Sequence, residues 1–242
     1  MNLAIDVGNT RVKTAVFADD KMIELIVFPL SEILSQIKSI KNKYALSNAI
    51  ISNVVAISDK KLNKIQQIVP TLIVSSSISI PFQNNYKTPK TLGADRIALV
   101  AAAVKNFPHQ NVLVIDAGTC ITFDFVDENV CYFGGAISPG IDMRFKALHF
   151  YTNKLPFLEK STLDNFIGQN TQESINSGVV NGVIQEIDGV IGQYKKKYQD
   201  LTIVLTGGDT NFLSKQLKSS IFANQNFLLE GLNELLIFNK NK

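Results

Sequence analysis

The feature that most constrains the fold is a short pattern that occurs twice, once at the start of the chain and once near its middle. Residues 4–9 read AIDVGN, and residues 114–119 read VIDAGT. Each copy is an apolar run that ends in Asp-x-Gly and continues, after a small polar residue, into a second strand-like run. Tight glycine turns between such runs are typical of β-hairpins. The chain is therefore predicted to consist of two similar halves, each of which opens with a hairpin.

The elements after each hairpin follow one order, which predicts β-β-β-α-β-α-β-α for each half. The first half has strand-like runs at 2–6, 11–17, 22–28, 49–55 and 71–74, with helical periodicity between the later ones. The second has strand-like runs at 112–116, 121–126, 130–133 and 201–205, and helices at 172–198 and 228–238. The sequence leaves open whether the last helix packs on the second half or crosses back to the first.

The segment 106–111, NFPHQN, interrupts the alternation of strands and helices. It predicts a boundary between two domains, residues 1–108 and 109–242. Two such halves, each with an Asp-x-Gly hairpin, are expected to face each other across a cleft.

Composition excludes several classes of protein. Hydrophobic residues make up 45% and charged residues 19% of the chain, which is typical of a globular protein with a buried core. A net charge of +3 without aromatic interleaving gives no indication of nucleic-acid binding. No apolar run approaches the roughly 20 residues of a membrane span, and Cys120 and Cys131 form no CxxC motif. We expect a reduced, cytoplasmic setting and no membrane partner.

The two Asp-x-Gly turns are candidate phosphate loops. Glycine lets backbone N–H groups approach a phosphate closely, and an aspartate at the end of a strand can hold a cation or its water. A plain hairpin is the alternative, because turns favour the same residues. The chain contains no Walker A sequence, which argues against a P-loop kinase. The residues concerned are Asp6, Val7, Gly8, Asn9 and Thr10 in the first loop, and Asp116, Gly118 and Thr119 in the second.

Three further segments carry candidate chemistry. In the segment Gly93-Ala94-Asp95-Arg96, the arginine can bind an anionic group and the aspartate can accept a hydroxyl proton. The alternative is a helix N-terminal acid with a surface ion pair. The stretch 134–140, GGAISPG, is predicted to be a turn-rich loop that enters a helix. The pair Gly207-Gly208 at a strand end would let an adenine or ribose lie against the backbone, although both glycine segments could be tight loops.

Taken in order, these motifs resemble the type III pantothenate kinases, which belong to the superfamily of acetate kinase, sugar kinases, Hsp70 and actin. The resemblance runs nearly end to end. It rests on Asp6-x-Gly8-Asn9-Thr10, Tyr86-x-x-Pro89, Gly93-Ala94-Asp95-Arg96, Asp116-x-Gly118-Thr119, Gly134-Gly135-Ala136-Ile137-x-Pro139-Gly140, Asn170-Thr171, Ser177-Gly178 and Thr206-Gly207-Gly208. It implies a duplicated ribonuclease H-like (actin-like) α/β fold and ATP-dependent phosphorylation of pantothenate, the first step of coenzyme A biosynthesis.

The resemblance also implies a role for each matching residue. Asp95 would take the proton of the pantothenate hydroxyl, and Asp116 would bind a monovalent cation, K⁺ or NH₄⁺. Asp6 would hold Mg²⁺ through a water, and Thr171 would reach pantothenate from the second subunit of a homodimer. ATP would be bound by Asp6, Val7, Gly8, Asn9, Thr10, Arg11, Val12, Lys13 and Thr119. Pantothenate would be bound by Tyr86, Gly93, Ala94, Asp95, Arg96 and Thr171.

Two other functions fit the same fold. The first is a transcriptional regulator similar to the Bvg accessory factors, since a fold can outlive its catalysis; the retained Asp6, Asp95, Arg96 and Asp116 argue against it. The second is another small-molecule kinase or phosphatase of the superfamily, from which the segment around Tyr86 and residues 93–96 distinguishes pantothenate. The chain is short for a filament-forming actin relative.

Overall fold

The structure is a computed structural model that describes residues 1–8, 11–53, 57–162 and 165–240. Its first half contains β1 (Asn2–Val7), β2 (Val12–Ala18), β3 (Lys21–Phe28), α1 (Ile33–Lys43), β4 (Asn48–Asn53), α2 (Asp59–Ile68), β5 (Thr71–Ile73), β6 (Gln83–Asn84) and α3 (Ala94–Asn106). The second contains β7 (Val112–Ala117), β8 (Cys120–Val126), β9 (Cys131–Pro139), α4 (Ile141–Phe150), α5 (Thr171–Asn176), α6 (Gly182–Lys197), β10 (Thr202–Thr206), α7 (Thr210–Leu213), β11 (Phe222–Ala223) and α8 (Phe227–Lys240).

The two halves share one strand order. In the first sheet the order is β3-β2-β1-β4-β5, with β1 antiparallel to β2 and parallel to β4. In the second sheet the corresponding five strands have the order β9-β8-β7-β10-β11, with β7 antiparallel to β8 and parallel to β10. The short strand β6 adds to this sheet as a sixth strand, parallel to β9. The duplication predicted from the Asp-x-Gly repeat is therefore confirmed at the level of topology.

Each sheet packs its own helices through branched aliphatic and aromatic side chains. In the first half Ile5 of β1, Ile37 of α1 and Ile65 of α2 belong to one buried cluster. The helix α1 buries Ile33, Ile37 and Ile40, which lie on one face at the helical period. In the second half the corresponding cluster joins β7, β8 and α4 to α6. The central strands β1 and β7 are buried almost throughout, so their carboxyl ends are held firmly in place.

The chain divides into two compact units whose boundaries differ from the predicted ones. The first unit comprises Met1–His109, Glu128–Phe133 and the C-terminal segment from Asn226, and the second comprises Gln110–Asp127 and Gly134–Gln225. Predicted domains 1–108 and 109–242 placed both returning segments in the second half. The sequence could not assign them, because their membership depends on contacts between residues far apart in the chain.

The last helix, α8, packs on the first unit, against α3, β1 and β4. A polar ladder supplements this apolar contact: Asn2 Nδ2 donates to Asn233 Oδ1 (2.9 Å), and Lys240 Nζ donates to Asn2 Oδ1 (2.7 Å). Asn233 Nδ2 in turn donates to the carbonyl of Asp19 (2.8 Å). These bonds satisfy buried polar groups and stabilise the position of the helix on the first unit.

The prediction of a turn-rich loop at residues 134–140 is wrong for residues 134–139. These residues belong to strand β9, which ends at Pro139. Gly140 is the one residue between this strand and helix α4. The glycines serve close approach rather than a turn: a Cβ at Gly135 would overlap the carbonyl oxygen of Phe123 on β8. Gly134 adopts a φ of 93°, which few other residues adopt without strain.

The helix predicted at 172–198 is nearly continuous but contains a local irregularity. A π-helical stretch, Ser177–Asn181, joins α5 to α6.

Within the described ranges, none of the helices combines the length and the apolar character needed to cross a membrane.

The contact between α8 and α3 gives a test of the fold. A Cβ at Gly231 would overlap the carbonyl oxygen of Ala98, so Gly231→Ala should reduce the free energy of unfolding by about 1–3 kcal/mol. Gly192→Ala in α6 is the matched control, since a Cβ there meets no atom within 4 Å. It should stabilise the helix by up to about 1 kcal/mol. Thermal melting of the three proteins compares them, and equal melting temperatures for Gly231→Ala and wild type would contradict this packing.

Candidate active site

Asp6 lies near the end of β1, between a positively charged side chain and a hydroxyl group. It is paired with Lys13 across the antiparallel strand β2 and with Ser52 across the parallel strand β4. Directly paired residues project on the same face of a sheet. Asp6 is 9% exposed, and Ser52 is fully buried with no hydrogen-bond partner for its Oγ in the described part of the chain.

The charge of Asp6 is held in an unfavourable environment. Burial raises the pKa of Asp6 from 3.8 to about 6; the positive charge of Lys13 opposes this rise, and the negative charge of Asp95 adds to it. The helix α3 thus brings Asp95, the predicted base, near Asp6 within the first unit. Two carboxylates in one environment favour the binding of a cation.

The carboxylate of Asp95 lies against the start of α3. Its Oδ1 accepts a hydrogen bond from the backbone N–H of Arg96 (2.9 Å). A Cβ at residue 93 would overlap this oxygen, so only glycine leaves room for the carboxylate in its present orientation. Asp95 is half-buried, which leaves it accessible to a substrate.

Arg96 and Tyr86 form a small aromatic and cationic cluster in the same unit. The Cζ atom of Arg96 lies 5.5 Å from the centre of the Tyr86 ring, within the range of a cation–π interaction. Tyr86 stacks on the buried Tyr132, with ring centres 6.2 Å apart. Arg96 is only 6% exposed, so its side chain lies in the protein interior rather than in solvent. The sequence analysis missed Tyr132, which lies far along the chain.

Asp116 occupies the position in the second unit that Asp6 occupies in the first. It is paired with Thr122 across β8 and with Thr206 across β10. Gly207, with a φ of 96°, follows β10, and a Cβ there would overlap Oδ1 of Asp116. The carboxylate therefore rests against bare backbone. Thr122 is 8% exposed, and its Oγ1 has no hydrogen-bond partner among the described residues.

The second turn is braced by the segment that precedes α4. The backbone N–H of Gly118 donates to the carbonyl of Cys120 (2.9 Å), and that of Gly140 donates to the carbonyl of Thr119 (3.0 Å). A Cβ at Gly140 would overlap the carbonyls of Gly118 and Thr119. The side chain of Thr119 remains exposed at the tip of the turn.

The Gly207-Gly208 turn is fixed by an ion pair that the sequence analysis did not detect. The backbone N–H of Asp209 donates to the carbonyl of Ala117 (2.9 Å), and its buried carboxylate is paired with Lys160. The Nζ of Lys160 is also 3.9 Å from Asp142. Lys160 and Asp209 are 49 residues apart, so no local pattern could have predicted their contact.

The predicted site residues fall into two sets, one in each unit. The second unit contains Asp116, Thr119 and Thr171; Thr171 is exposed in the first turn of α5, whose N-cap Asn170 accepts from Glu173. The side chains of Val7 and Val12 are buried in the core, so only their backbone can contact a ligand. Asn9 and Thr10 lie outside the described residues. The first unit contains Asp6, Val7, Gly8, Arg11, Val12, Lys13, Tyr86, Gly93, Ala94, Asp95 and Arg96.

A divalent ion fits the surroundings of Asp6. Mg²⁺ commonly takes one or two carboxylates and fills its remaining positions with water and substrate phosphates. Asp6, with Asp95 nearby and the hydroxyl of Ser52 beside it, supplies oxygens of this kind. In the described ranges, no three His, Cys, Asp or Glu side chains are grouped to hold a metal ion, and Mg²⁺ does not require such a group.

Comparison with known proteins identifies close relatives. The family model of the type III pantothenate kinases matches residues 2–193. A type III pantothenate kinase of Christiangramia forsetii is 48% identical over 99% of both chains, and one of Flavobacterium psychrophilum is 50% identical over 99% of this chain and 100% of its own.

Solved structures share the fold at low identity. A Campylobacter jejuni protein described as a candidate Baf family transcriptional activator aligns with a TM-score of 0.66, at 22% identity, over 99% of this chain and 100% of its own. A ROK family glucokinase from Streptomyces griseus aligns with a TM-score of 0.53, at 9% identity, over 100% and 99%. These likenesses bear on the fold alone, and they confirm the predicted ribonuclease H-like, actin-like class.

The raised pKa of Asp6 predicts a specific pH dependence of stability. Between about pH 4 and pH 6 the native chain retains a proton that the unfolded chain has released, so the free energy of unfolding falls as pH rises through this window. Above it, ionised Asp6 costs about 3 kcal/mol. Without Mg²⁺ or nucleotide, Asp6→Asn should therefore be more stable than wild type at pH 8 and similar at pH 4. Melting temperatures across this range measure the difference, and parallel curves for the two proteins would disprove the assignment.

Proposed function

The chain belongs to the type III pantothenate kinase family, and we propose that it phosphorylates pantothenate with Asp95 as the base that accepts the substrate's hydroxyl proton. The reaction is the ATP-dependent formation of 4'-phosphopantothenate, the first step of coenzyme A biosynthesis. The observation that carries the proposed role is the position of Asp95: the half-buried carboxylate lies at the start of α3, close enough to Asp6 to raise its pKa.

The two Asp-x-Gly turns would hold the phosphates of ATP. In phosphoryl transfer, the protein's main task is to position the reactants and to neutralise charge. Lys13 adds a positive charge beside Asp6 at the first turn, where the Gly8 N–H donates to the carbonyl of Arg11 (3.1 Å), and Thr119 is exposed at the second turn. The Gly207-Gly208 turn, held by Asp209 and Lys160, would take the adenosine part of the nucleotide.

The cluster of Tyr86 and Arg96 would bind pantothenate. Pantothenate carries a carboxylate and hydroxyl groups, and the planar guanidinium of arginine suits a carboxylate. Tyr86 lies against one side of Arg96, and Gly93 leaves room for the Asp95 carboxylate. Gly93 and Ala94 would contact pantothenate at the start of α3. Thr171, exposed on α5, is proposed to complete this pocket from a second subunit.

Cations would complete the site. A kinase of this family requires a divalent metal, and we assign Mg²⁺ to the surroundings of Asp6, where it would neutralise the triphosphate. We assign a monovalent cation, K⁺ or NH₄⁺, to Asp116. The crowding of negative charge supports the assignment of Mg²⁺, since ATP brought to Asp6 and Asp95 would otherwise be repelled.

A homodimer is proposed on the basis of an exposed apolar surface on the second unit, which we call the α4 patch: Phe150, Tyr151 and Phe157, which line one pocket. Phe150 and Tyr151 are 79% and 81% exposed, and their rings contact each other edge to face at 5.1 Å. Phe157 is 51% exposed. Clustered exposed aromatic residues mark interaction sites more often than scattered ones do.

We also propose that the enzyme works in the cytoplasm without nucleic-acid or membrane partners. A net charge of +3 over 242 residues provides little attraction for nucleic acid, and the substrates are small water-soluble molecules.

The role of Asp95 can be tested with a matched control. Asp95 and Asp59 are both acids in the first turn of a helix, α3 and α2 respectively. Asp95→Asn should lower kcat by at least a hundredfold, because general base catalysis contributes about 10²–10⁴. Asp59→Asn should leave kcat unchanged. A coupled assay of ATP turnover with pantothenate, Mg²⁺ and K⁺ measures both.

Full activity of a folded Asp95→Asn protein would remove Asp95 from the mechanism. Wild type that binds ATP but turns over no pantothenate would overturn the proposed function, and salt-sensitive binding of duplex DNA by that protein would favour a regulator.

The α4 patch predicts the effect of charge on assembly. Wild type should sediment as a dimer, and the double variant Phe150→Glu with Tyr151→Glu as a monomer, since two buried carboxylates would face the partner without compensation. Phe222→Glu, at a residue that is 63% exposed on β11, is the control and should remain dimeric. Analytical ultracentrifugation distinguishes these results. A dimeric double variant would exclude the α4 patch as the interface.

A further inference from the structure

The duplicated fold assigns each aspartate an equivalent neighbour on the next antiparallel strand. Asp6 is paired with Lys13 between β1 and β2, and Asp116 is paired with Thr122 between β7 and β8. On the opposite side, the parallel strands provide Ser52 and Thr206. Among the residues paired with the aspartates, the charged one is Lys13 in the first unit, and the equivalent position in the second unit is Thr122.

In the first unit the chain supplies its own positive charge. The ammonium group of Lys13 is close enough to Asp6 to favour the ionised carboxylate. The Lys13 ammonium carries one positive charge, as K⁺ and NH₄⁺ do. In the second unit the equivalent position, Thr122, carries no charge, although an aspartate is present beside it.

The hydroxyl of Thr122 is an exception to the usual satisfaction of buried polar groups. It is more than nine-tenths buried, lies on the same face as Asp116, and has no hydrogen-bond partner among the described residues. A buried hydroxyl without a partner is destabilising and calls for an explanation. Replacement by valine would remove this cost, so the hydroxyl is not retained for the stability of the strand.

The chemistry of the group points to a monovalent cation. Hard cations prefer oxygen ligands, and Thr122 Oγ1 and the Asp116 carboxylate are oxygens on one face of the sheet. Gly207, which follows β10, approaches Oδ1 of Asp116 with bare backbone, and Thr206 at the end of β10 adds a second hydroxyl on the same face as the carboxylate. The single negative charge of the Asp116 carboxylate matches the single positive charge of a monovalent cation.

We propose that Thr122 Oγ1 is a ligand of the monovalent cation held at Asp116, and that this cation takes, in the second unit, the role that the Lys13 ammonium has in the first. The proposal rests on the proposed function in so far as it assumes a monovalent cation at Asp116. It adds a ligand, and it explains why both K⁺ and NH₄⁺ would serve: each carries the single positive charge that a lysine carries at the equivalent strand position of the first unit.

Thr122→Val tests the ligand directly, because valine matches threonine in shape but lacks the hydroxyl. Thr202→Val, on β10, is the matched control; its hydroxyl donates to Gln110 at the surface instead. Binding is measured without substrates, by titration with Tl⁺ as a K⁺ analogue, followed by thallium NMR. We expect at least tenfold weaker Tl⁺ binding by Thr122→Val and unchanged binding by Thr202→Val. Wild-type affinity in Thr122→Val, or no Tl⁺ binding by wild type, would overturn the proposal.

Thr122→Lys tests the equivalence with Lys13. A folded Thr122→Lys protein should have a melting temperature that no longer responds to K⁺, and its turnover in Na⁺ should match its turnover in K⁺. A folded Thr122→Lys protein that still requires K⁺ would overturn the equivalence between the cation and the Lys13 ammonium. Thr122→Val tests Thr122 Oγ1 as a ligand whether or not the lysine variant folds. Pantothenate turnover by wild type, run in parallel, separates this question from the proposed function.

Discussion

Burial of the central strand in each sheet is the constraint on which the remainder of the structure depends. Every residue of β1 is buried, because β2 and β4 flank it and helices cover the sheet. A carboxylate at the end of such a strand cannot be fully hydrated, and the pKa of Asp6 rises to about 6 as a result. The site is thus built so that a bound cation and the ionised carboxylate stabilise each other. Under the proposed function, the energy lost by burying Asp6 would become affinity for the metal and nucleotide that neutralise it.

In the proposed function, two copies of one strand arrangement have different chemical roles. The strand order and the pairing of the aspartate are the same in both units, so differences in function come from a few neighbouring side chains. In the first unit Lys13 and Asp95 surround Asp6, and this combination suits phosphates and a proton-accepting base. In the second unit threonines and bare glycine backbone surround Asp116, and this combination suits a small cation and the nucleoside.

Local signals in the sequence predicted the repeated hairpins, the candidate aspartates and most helices, because turn glycines and apolar periodicity act over a few residues. Contacts between distant residues were not predictable in this way. Gly134 and Gly135 were interpreted as a turn, whereas they let β9 pass close to the backbone of β8. The pairing of Lys160 with Asp209 and the return of α8 to the first unit depend on the completed fold. The roles of individual site residues came from the resemblance and stay proposals.

The central claim is that this chain transfers a phosphoryl group from ATP to the hydroxyl of pantothenate, and the most direct measurement is identification of the product. Phosphorus NMR of the purified protein with ATP, Mg²⁺, K⁺ and pantothenate should show a new phosphate monoester on the primary hydroxyl, formed in equal amount with ADP. Sugars or acetate in place of pantothenate should give no ester. Release of inorganic phosphate without an ester, or an ester formed only with a sugar, would contradict the account.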